Sequence, residues 1–251
     1  MQALKDRVAV ITGGSTGIGF ATAKRFLEEG ASVVLTGRTQ ETIDGALSEL
    51  GAPQRVLGVR GDVARLADLD RLFTAVRERF GRVDALFANA GVARFAPVDE
   101  VDEAFFDAQF DVNVKGLYFT VKKALPLMSK GGTIVLNSSV ANASGMPAMS
   151  VYAATKAAVR SLARTLSSEL GPRGIRVNAV SPGPILTPIF GKTGLPDEGI
   201  KAFEDTVKQR VTLGRFGQPE EVADAVLFLS TERSAFVVGT ELVVDGGFQQ
   251  Y

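Results

Sequence analysis

The chain has 251 residues, 45% of them hydrophobic, and its 28 Lys and Arg are balanced by 28 Asp and Glu. That length allows a substantial core, while zero net charge offers neither the basic footprint of a nucleic-acid binder nor an acidic tail. Cysteine and histidine are both absent, which excludes disulfides, thiolate nucleophiles, Cys/His zinc sites and any catalytic triad built on imidazole.

In chain order, short β-branched runs alternate with stretches of helical period. The runs Val8–Thr12, Ser32–Thr36, Val56–Arg60, Ala85–Asn89, Thr133–Ser138, Arg176–Ser181 and Glu241–Val244 are nearly continuous in apolar residues, as strands buried on both faces of a parallel sheet should be. Between them, Ile18–Glu29, Glu41–Leu50, Leu66–Phe80, Val151–Leu170 and Pro219–Ser230 read as helices. Gly30, Gly51, Gly81 and Gly171 stand just past four of these, where a left-handed residue is wanted. Gln218-Pro219-Glu220-Glu221 puts proline and acids into a first turn. The alternation predicts an α/β fold of one domain, residues 1–251. Its core is a doubly wound parallel sheet of about seven strands with helices on both faces. Only residues 183–217 break the rhythm. They are rich in Pro and Gly, with one predicted helix near Glu198–Val211, and a long connection after a strand's carboxyl end predicts a substrate lid.

No stretch approaches the ~20 apolar residues of a membrane span. The N-terminal apolar run Val8–Thr12 is too short for a signal peptide. A cytoplasmic location is the expectation, with no membrane and no nucleic-acid partner, and no Asp/Glu cluster calls for a metal.

The first strand runs into Gly13-Gly14-Ser15-Thr16-Gly17-Ile18-Gly19. Glycines at 13, 17 and 19 allow a tight turn, and the helix that follows offers unpaired N–H groups and a positive dipole end to a pyrophosphate. The spacing differs from the common G-x-G-x-x-G turn, and any strand-to-helix reversal favours glycine. Its place after the first strand of a βαβ pattern strengthens the nucleotide reading. At the end of the second strand, where an acid would bind a ribose 2′-hydroxyl, the chain reads Thr36-Gly37-Arg38. No carboxylate stands there to repel a 2′-phosphate, and a guanidinium can pair with one. NADP(H) is therefore favoured, with NAD(H) as the alternative.

Ser139 follows the fifth strand, and Tyr152-Ala-Ala-Thr-Lys156 opens a long amphipathic helix. A step of four puts Tyr152 and Lys156 on one face. An ammonium near a phenol favours phenolate, so tyrosine could act as acid or base near neutral pH. A chain without histidine needs some such proton carrier. Tyr-x-x-x-Lys alone, however, is a common accident of helices.

The ordered set is more specific. Thr12-Gly13-Gly14-Ser15-Thr16-Gly17-Ile18-Gly19, Asn89-Ala90-Gly91, Asn113, Ser139, Tyr152-x-x-x-Lys156, Pro182-Gly183 and Asp245-Gly246-Gly247 follow one another with spacings that resemble the short-chain dehydrogenase/reductase family, from Lys5 to Tyr251. The resemblance implies a Rossmann-type domain, a nicotinamide cofactor and a homotetramer, with a homodimer as the alternative. By the same likeness, Tyr152 exchanges the proton, Lys156 lowers its pKa and binds the nicotinamide ribose, and Ser139 polarises the substrate oxygen. Ser138 rivals it for that role. Asn113 would hold a water in a relay to Lys156. Asp62 and Val63 resemble the adenine-binding pair, and Asn89, Ala90 and Gly91 would lie against the adenosine ribose. Pro182, Gly183, Ile185 and Thr187 would fix the carboxamide, joining Gly13, Ser15, Thr16, Gly17, Ile18, Gly19 and Arg38 as cofactor contacts.

The activity so implied is hydride transfer between NADP(H) and a carbonyl or alcohol substrate, as in a ketone reductase or secondary alcohol dehydrogenase. A dedicated 3-oxoacyl, sugar or steroid reductase, or a dinucleotide-sensing protein without turnover, are the alternatives. Residues 91–95, 140–151 and 183–215 are expected to line an apolar pocket, with Arg94 near its mouth.

Overall fold

The computed structural model describes residues 2–188, 193 and 197–249. Within them, β1 (Val8–Thr12), β2 (Ser32–Gly37), β3 (Val56–Arg60), β4 (Ala85–Ala88), β5 (Thr133–Asn137), β6 (Arg176–Pro182) and β7 (Glu241–Val244) form one sheet. The order is β3-β2-β1-β4-β5-β6-β7, and every pairing is parallel. The doubly wound α/β fold expected from the alternation is the one observed. The helices are α1 (Gly17–Glu28), α2 (Gln40–Leu50), α3 (Leu66–Phe80), α4 (Glu103–Phe110), α5 (Leu117–Ala124), α6 (Ser150–Leu170), α7 (Asp197–Arg210) and α8 (Pro219–Leu229).

Alternation along each strand divides the core into two layers. Val10, Val34, Leu86, Ile134, Leu136 and Val177 face α3, α5 and α6. Ala9, Ile11, Val33, Leu35, Phe87 and Val135 face α1, α2 and α8. The chain winds outward from β1 to β3 and then returns to place β4 beside β1. At that reversal the connections leave the carboxyl ends in opposite directions and open a crevice.

Element ends follow local chemistry. Gly81 closes α3 in the left-handed conformation, with φ 73°. Gly30 also has positive φ, as does Gly51, although the ψ of −150° at Gly51 lies outside the left-handed helical region. Gly171 departs from expectation. Its φ is −53°, because α6 runs on into a 3₁₀ turn over Gly171–Arg173, and the left-handed residue is Gly174. Gln218 and Glu221 cap α8 reciprocally. Arg215 grips both oxygens of Glu221 at 2.8 Å, and together these donors bring that carboxyl down to about 2.

Helices α4 and α5 are not singled out by the sequence pattern. A π-helical turn over Asp111–Gly116 joins them, and it interrupts the 3.6-residue period that would otherwise reveal one long helix. The connection 183–217 is pinned at its base: Ile185 and Gly217 form a parallel bridge, and Leu186 N donates to Gly217 O at 2.9 Å. Helix α7 lies where one was expected. The part of the expected lid at 189–192 and 194–196 lies outside the described residues.

Candidate functional site

Helix α6 begins against the carboxyl end of β5 and carries Tyr152 and Lys156 one turn apart. Lys156 is 5% exposed. Its Nζ donates to Asn137 O at 2.8 Å and stands 5.7 Å from the Tyr152 ring centroid. Burial weakens its hold on the proton, bringing it to about 8. Phe95 meets the Tyr152 ring edge-on at 5.7 Å.

Burial pushes the Tyr152 phenol above its ordinary value, and the Ser139 hydroxyl beside it works the other way without cancelling it. The expected lowering by Lys156 is therefore not what this structure displays. The ammonium lies over the ring and spends a proton on the Asn137 carbonyl, while desolvation dominates at the hydroxyl.

Of the two serines, Ser139 faces the phenol, its backbone extended and its oxygen also accepting from Ala141 N at 3.2 Å. Ser138 is 2% exposed and donates to Lys156 O at 2.9 Å, so its hydroxyl is committed to holding α6. Asn113 sits in the π-helical turn and is 1% exposed. Its Oδ1 accepts from Val92 N at 2.8 Å, and its Nδ2 donates to Val92 O at 2.9 Å and Thr155 Oγ1 at 3.0 Å. The side chain thus clamps the 91–92 backbone against α6. A Cβ on Gly91 would stand 3.3 Å from Asn113 Oδ1 and 3.6 Å from Lys156 Nζ, which places these three together.

The glycine turn fits a dinucleotide. Gly13 and Gly17 have φ of 63° and 54°, a region other residues rarely adopt. Thr16 gives α1 no side-chain cap, and no acid occupies the first turn, so the helix start presents bare N–H groups. Opposite Gly17 stands Thr187, 3.3 Å from where a Cβ would sit. Ile18 follows at the start of α1. Asn89 is the tie of this region: Nδ2 donates to Thr12 O at 2.9 Å and Gly13 O at 3.1 Å, while Oδ1 accepts from Asn137 at 2.9 Å. Ala90 N joins Asn89 N on Thr12 Oγ1, each at 3.0 Å.

Arg38 is exposed, with no bond to another side chain among the described residues. Beside it, Ser15 Oγ lies 3.3 Å from Thr42 Oγ1, and a Cβ on Gly37 would stand 2.8 Å from Ser15 Oγ. Thr42 is a neighbour the sequence did not announce. Asp62 is half-buried and accepts from Ala64 N at 3.0 Å, while Val63 packs into the core. Pro182 ends β6, and Gly183 lets Asp245 approach, since a Cβ there would meet Asp245 Cβ at 2.6 Å. Ile185 is buried beneath the bridge to Gly217.

The three expected pocket segments converge. Phe95 N donates to Thr193 O at 3.1 Å and Ala96 N to Ala148 O at 2.9 Å. Met146 and Phe216 pack with Val140, Val207, Val211 and Phe248 into a small apolar cluster. Arg94 is exposed, as a surface arginine would be. Among the described residues no group of acids is placed to hold a metal, and no helix is long and apolar enough to cross a membrane. An apolar groove of about 460 Å³ lies away from this chemistry, lined by residues between Phe110 and Phe119 and between Ala158 and Leu162.

Lysine burial has a measurable consequence. With its folded value near 8 and its ordinary value 10.5, the unfolded chain holds more protons in that window, so raising the pH through it stabilises the native chain. The Tm difference between wild type and Lys156→Met is expected to move in favour of wild type across the window. A difference that stays constant there would contradict the desolvation.

A family model described as enoyl-(acyl carrier protein) reductase matches residues 13–249. The oxidoreductase asL5 of Sarocladium schorii is 46% identical over 252 residues, covering 100% of this chain and 98% of that protein. A short-chain dehydrogenase from Burkholderia cenocepacia J2315, solved in complex with NADP, superposes with TM-score 0.90 at 32% identity, over 98% of this chain and 99% of that one. A 3-ketoacyl-(acyl-carrier-protein) reductase from Brucella melitensis, complexed with NADH, does so with TM-score 0.88 at 31% identity, again over 98% and 99%.

Proposed function

The chain belongs to the short-chain dehydrogenase/reductase family, oxidoreductases acting on alcohol and carbonyl groups, and on that footing we propose that it is an NADPH-preferring carbonyl reductase. The observation that carries the reading is the placing of Ser139 and Tyr152 beside buried Lys156 at the carboxyl edge of the sheet, the same edge from which α1 starts uncapped. When bound, a nicotinamide dinucleotide supplies or accepts the hydride.

The chain's own groups do the rest. Ser139 donates a hydrogen bond to the substrate oxygen and so draws charge toward it. Tyr152 gives its hydroxyl proton to that oxygen in reduction and takes it back in oxidation. Lys156, held by the Asn137 carbonyl, keeps a donor beside the phenol and toward Gly91, where a ribose would pass. Gly13, Ser15, Thr16, Gly17, Ile18 and Gly19 hold the pyrophosphate, and Asp62 and Val63 hold the adenine. Asn89, Ala90 and Gly91 form the floor. Pro182, Gly183, Ile185 and Thr187 hold the carboxamide, and 183–217 acts as the lid. The walls at Phe95, Val140 and Met146 suit an apolar or bulky ketone.

A phenol raised in pKa is protonated at neutral pH, which suits the donor role. Alcohol oxidation needs the ionised form and is expected to gain with rising pH, while reduction stays level through neutrality. The opposite pattern would argue against Tyr152 as the proton carrier.

For the cofactor, Arg38 with Ser15 and Thr42 offers a guanidinium and two hydroxyls to a 2′-phosphate. Arg38→Ala is expected to cost roughly 1.5–3 kcal/mol of NADPH binding, the loss of a hydrogen bond to a charged group, with little effect on NADH. The test is kcat/KM with both cofactors across a panel of ketones. Wild-type preference for NADH, unaffected by Arg38→Ala, would overturn the NADPH assignment.

A further inference from the structure

Behind Ser139 and Tyr152 lies a charge cluster that the proposed reaction does not use. Glu241 opens β7 in register with Ala179 of β6, on the sheet face covered by α6, and Ser181 follows two residues on along the same face. Glu241 Oε1 accepts from Ser181 Oγ and Asn142 Nδ2, and Oε2 accepts from Arg160 Nε. The Arg160 and Glu241 side chains are 21% and 15% exposed. Asn142 also donates to the Ser139 carbonyl at 2.6 Å and stands 3.2 Å from Ser138 Oγ.

Arg160 continues the four-residue step of Tyr152 and Lys156, so all three share one stripe of α6. The links therefore close a ring. From the α6 stripe they run through Arg160 to Glu241, then through Asn142 to the 138–139 turn, and back to α6 by the Ser138 bond to Lys156 O. Hydrogen bonds from Ser181, Asn142 and Arg160 outweigh the burial that would raise the Glu241 carboxyl, and they hold it below its ordinary value. Desolvation offsets much of the attraction in a buried ion pair, which makes such a pair a weak source of stability. This one is better placed to fix geometry.

We propose that Glu241 is a positioning residue: by anchoring Arg160 on one side and Asn142 on the other, its carboxylate sets Ser139 against Tyr152 so that both hydroxyls address one substrate oxygen. The proposal rests on the assignment of Ser139 and Tyr152 as the groups meeting that oxygen. Three donors, from Ser181, Asn142 and Arg160, converge on two carboxylate oxygens. Glu241→Gln keeps the shape but turns one acceptor into a donor, so at least one link becomes donor against donor.

The test compares Glu241→Gln, Ser139→Ala and the double variant, with Tm recorded for each. In Glu241→Gln, kcat is expected to fall by about 10²-fold, the scale of a small misplacement of reacting groups, with cofactor Kd unchanged. In the Ser139→Ala background the same change should cost nothing further, and Glu241→Asp should recover part of the loss. A second readout does not need turnover: the ¹³Cζ signal of Tyr152, identified by its disappearance in Tyr152→Phe. Glu241→Gln should move it as Ser139→Ala does, and the double variant should move it no further.

A folded Glu241→Gln with wild-type kcat and an unmoved signal would overturn the proposal, as would losses that add in the double variant. If wild type turns over no carbonyl or alcohol, the functional reading fails while the Tyr152 signal still decides the placement. Should Glu241→Gln not fold, Asn142→Ala cuts the same link from its other side and must shift the signal likewise; an unmoved signal there overturns the proposal.

Discussion

Tyr152→Phe is expected to lower kcat by about 10²–10⁴-fold, the usual contribution of a positioned proton donor, while NADPH binding stays at the wild-type level. The substitution removes one hydroxyl and keeps the ring that packs edge-on against Phe95. Nothing in the glycine turn or around Arg38 touches that hydroxyl. Fluorescence titration of NADPH and steady-state kinetics on one ketone separate the two quantities. A kcat within tenfold of wild type would mean that another group carries the proton.

The second large effect belongs to Gly19→Ala. A Cβ at this position would stand 2.2 Å from the Gly13 carbonyl oxygen and 2.6 Å from Asn89 Nδ2. Both neighbours are fixed, the first by the turn and the second by its bonds to Thr12 O, Gly13 O and Asn137. The added methyl can be accommodated only by opening the turn or releasing Asn89. An overpacking cost of about 1–3 kcal/mol follows, or a Tm lowered by roughly 2–12 °C for a chain of this size. Because the same backbone approaches the pyrophosphate, NADPH affinity should fall at least tenfold as well. Thermal melting with and without NADPH measures both. A variant with unchanged Tm and affinity would show that this turn is not the phosphate cradle.

Much of the fold is written locally. Val8–Thr12 is buried at every position because both faces are covered, whereas edge strand Val56–Arg60 is only partly covered and runs out to an exposed Arg60; both end where expected. Arg176–Ser181 extends by one residue to Pro182, since pairing with β7 continues to Val244. What could not be read is what depends on non-local partners. The π-helical turn at Asp111–Gly116 leaves no simple period, and Gly171 looks like a helix end although it opens a 3₁₀ turn that carries Pro172 in its first positions. At the site, the four-residue step placed Tyr152 with Lys156 correctly. The sign of the phenol's shift depended on burial and on where the ammonium spends its proton, and neither is a property of spacing. Arg160 carried a signal in the same step. Glu241, which lies 81 residues farther along the chain, carried none.

The bridge between Ile185 and Gly217 has a bearing on how substrate range can change. A segment that departs and returns at one paired point is a cassette: it can be exchanged without moving β6 or α8, provided the replacement restores the packing of Val207 and Val211 against Val140 and Phe248. Loop-closure entropy rises only with the logarithm of length, so doubling such a segment costs about 0.6 kcal/mol. A graft made between these two residues would therefore alter the walls of the pocket while the proton-transfer groups on α6 keep their place.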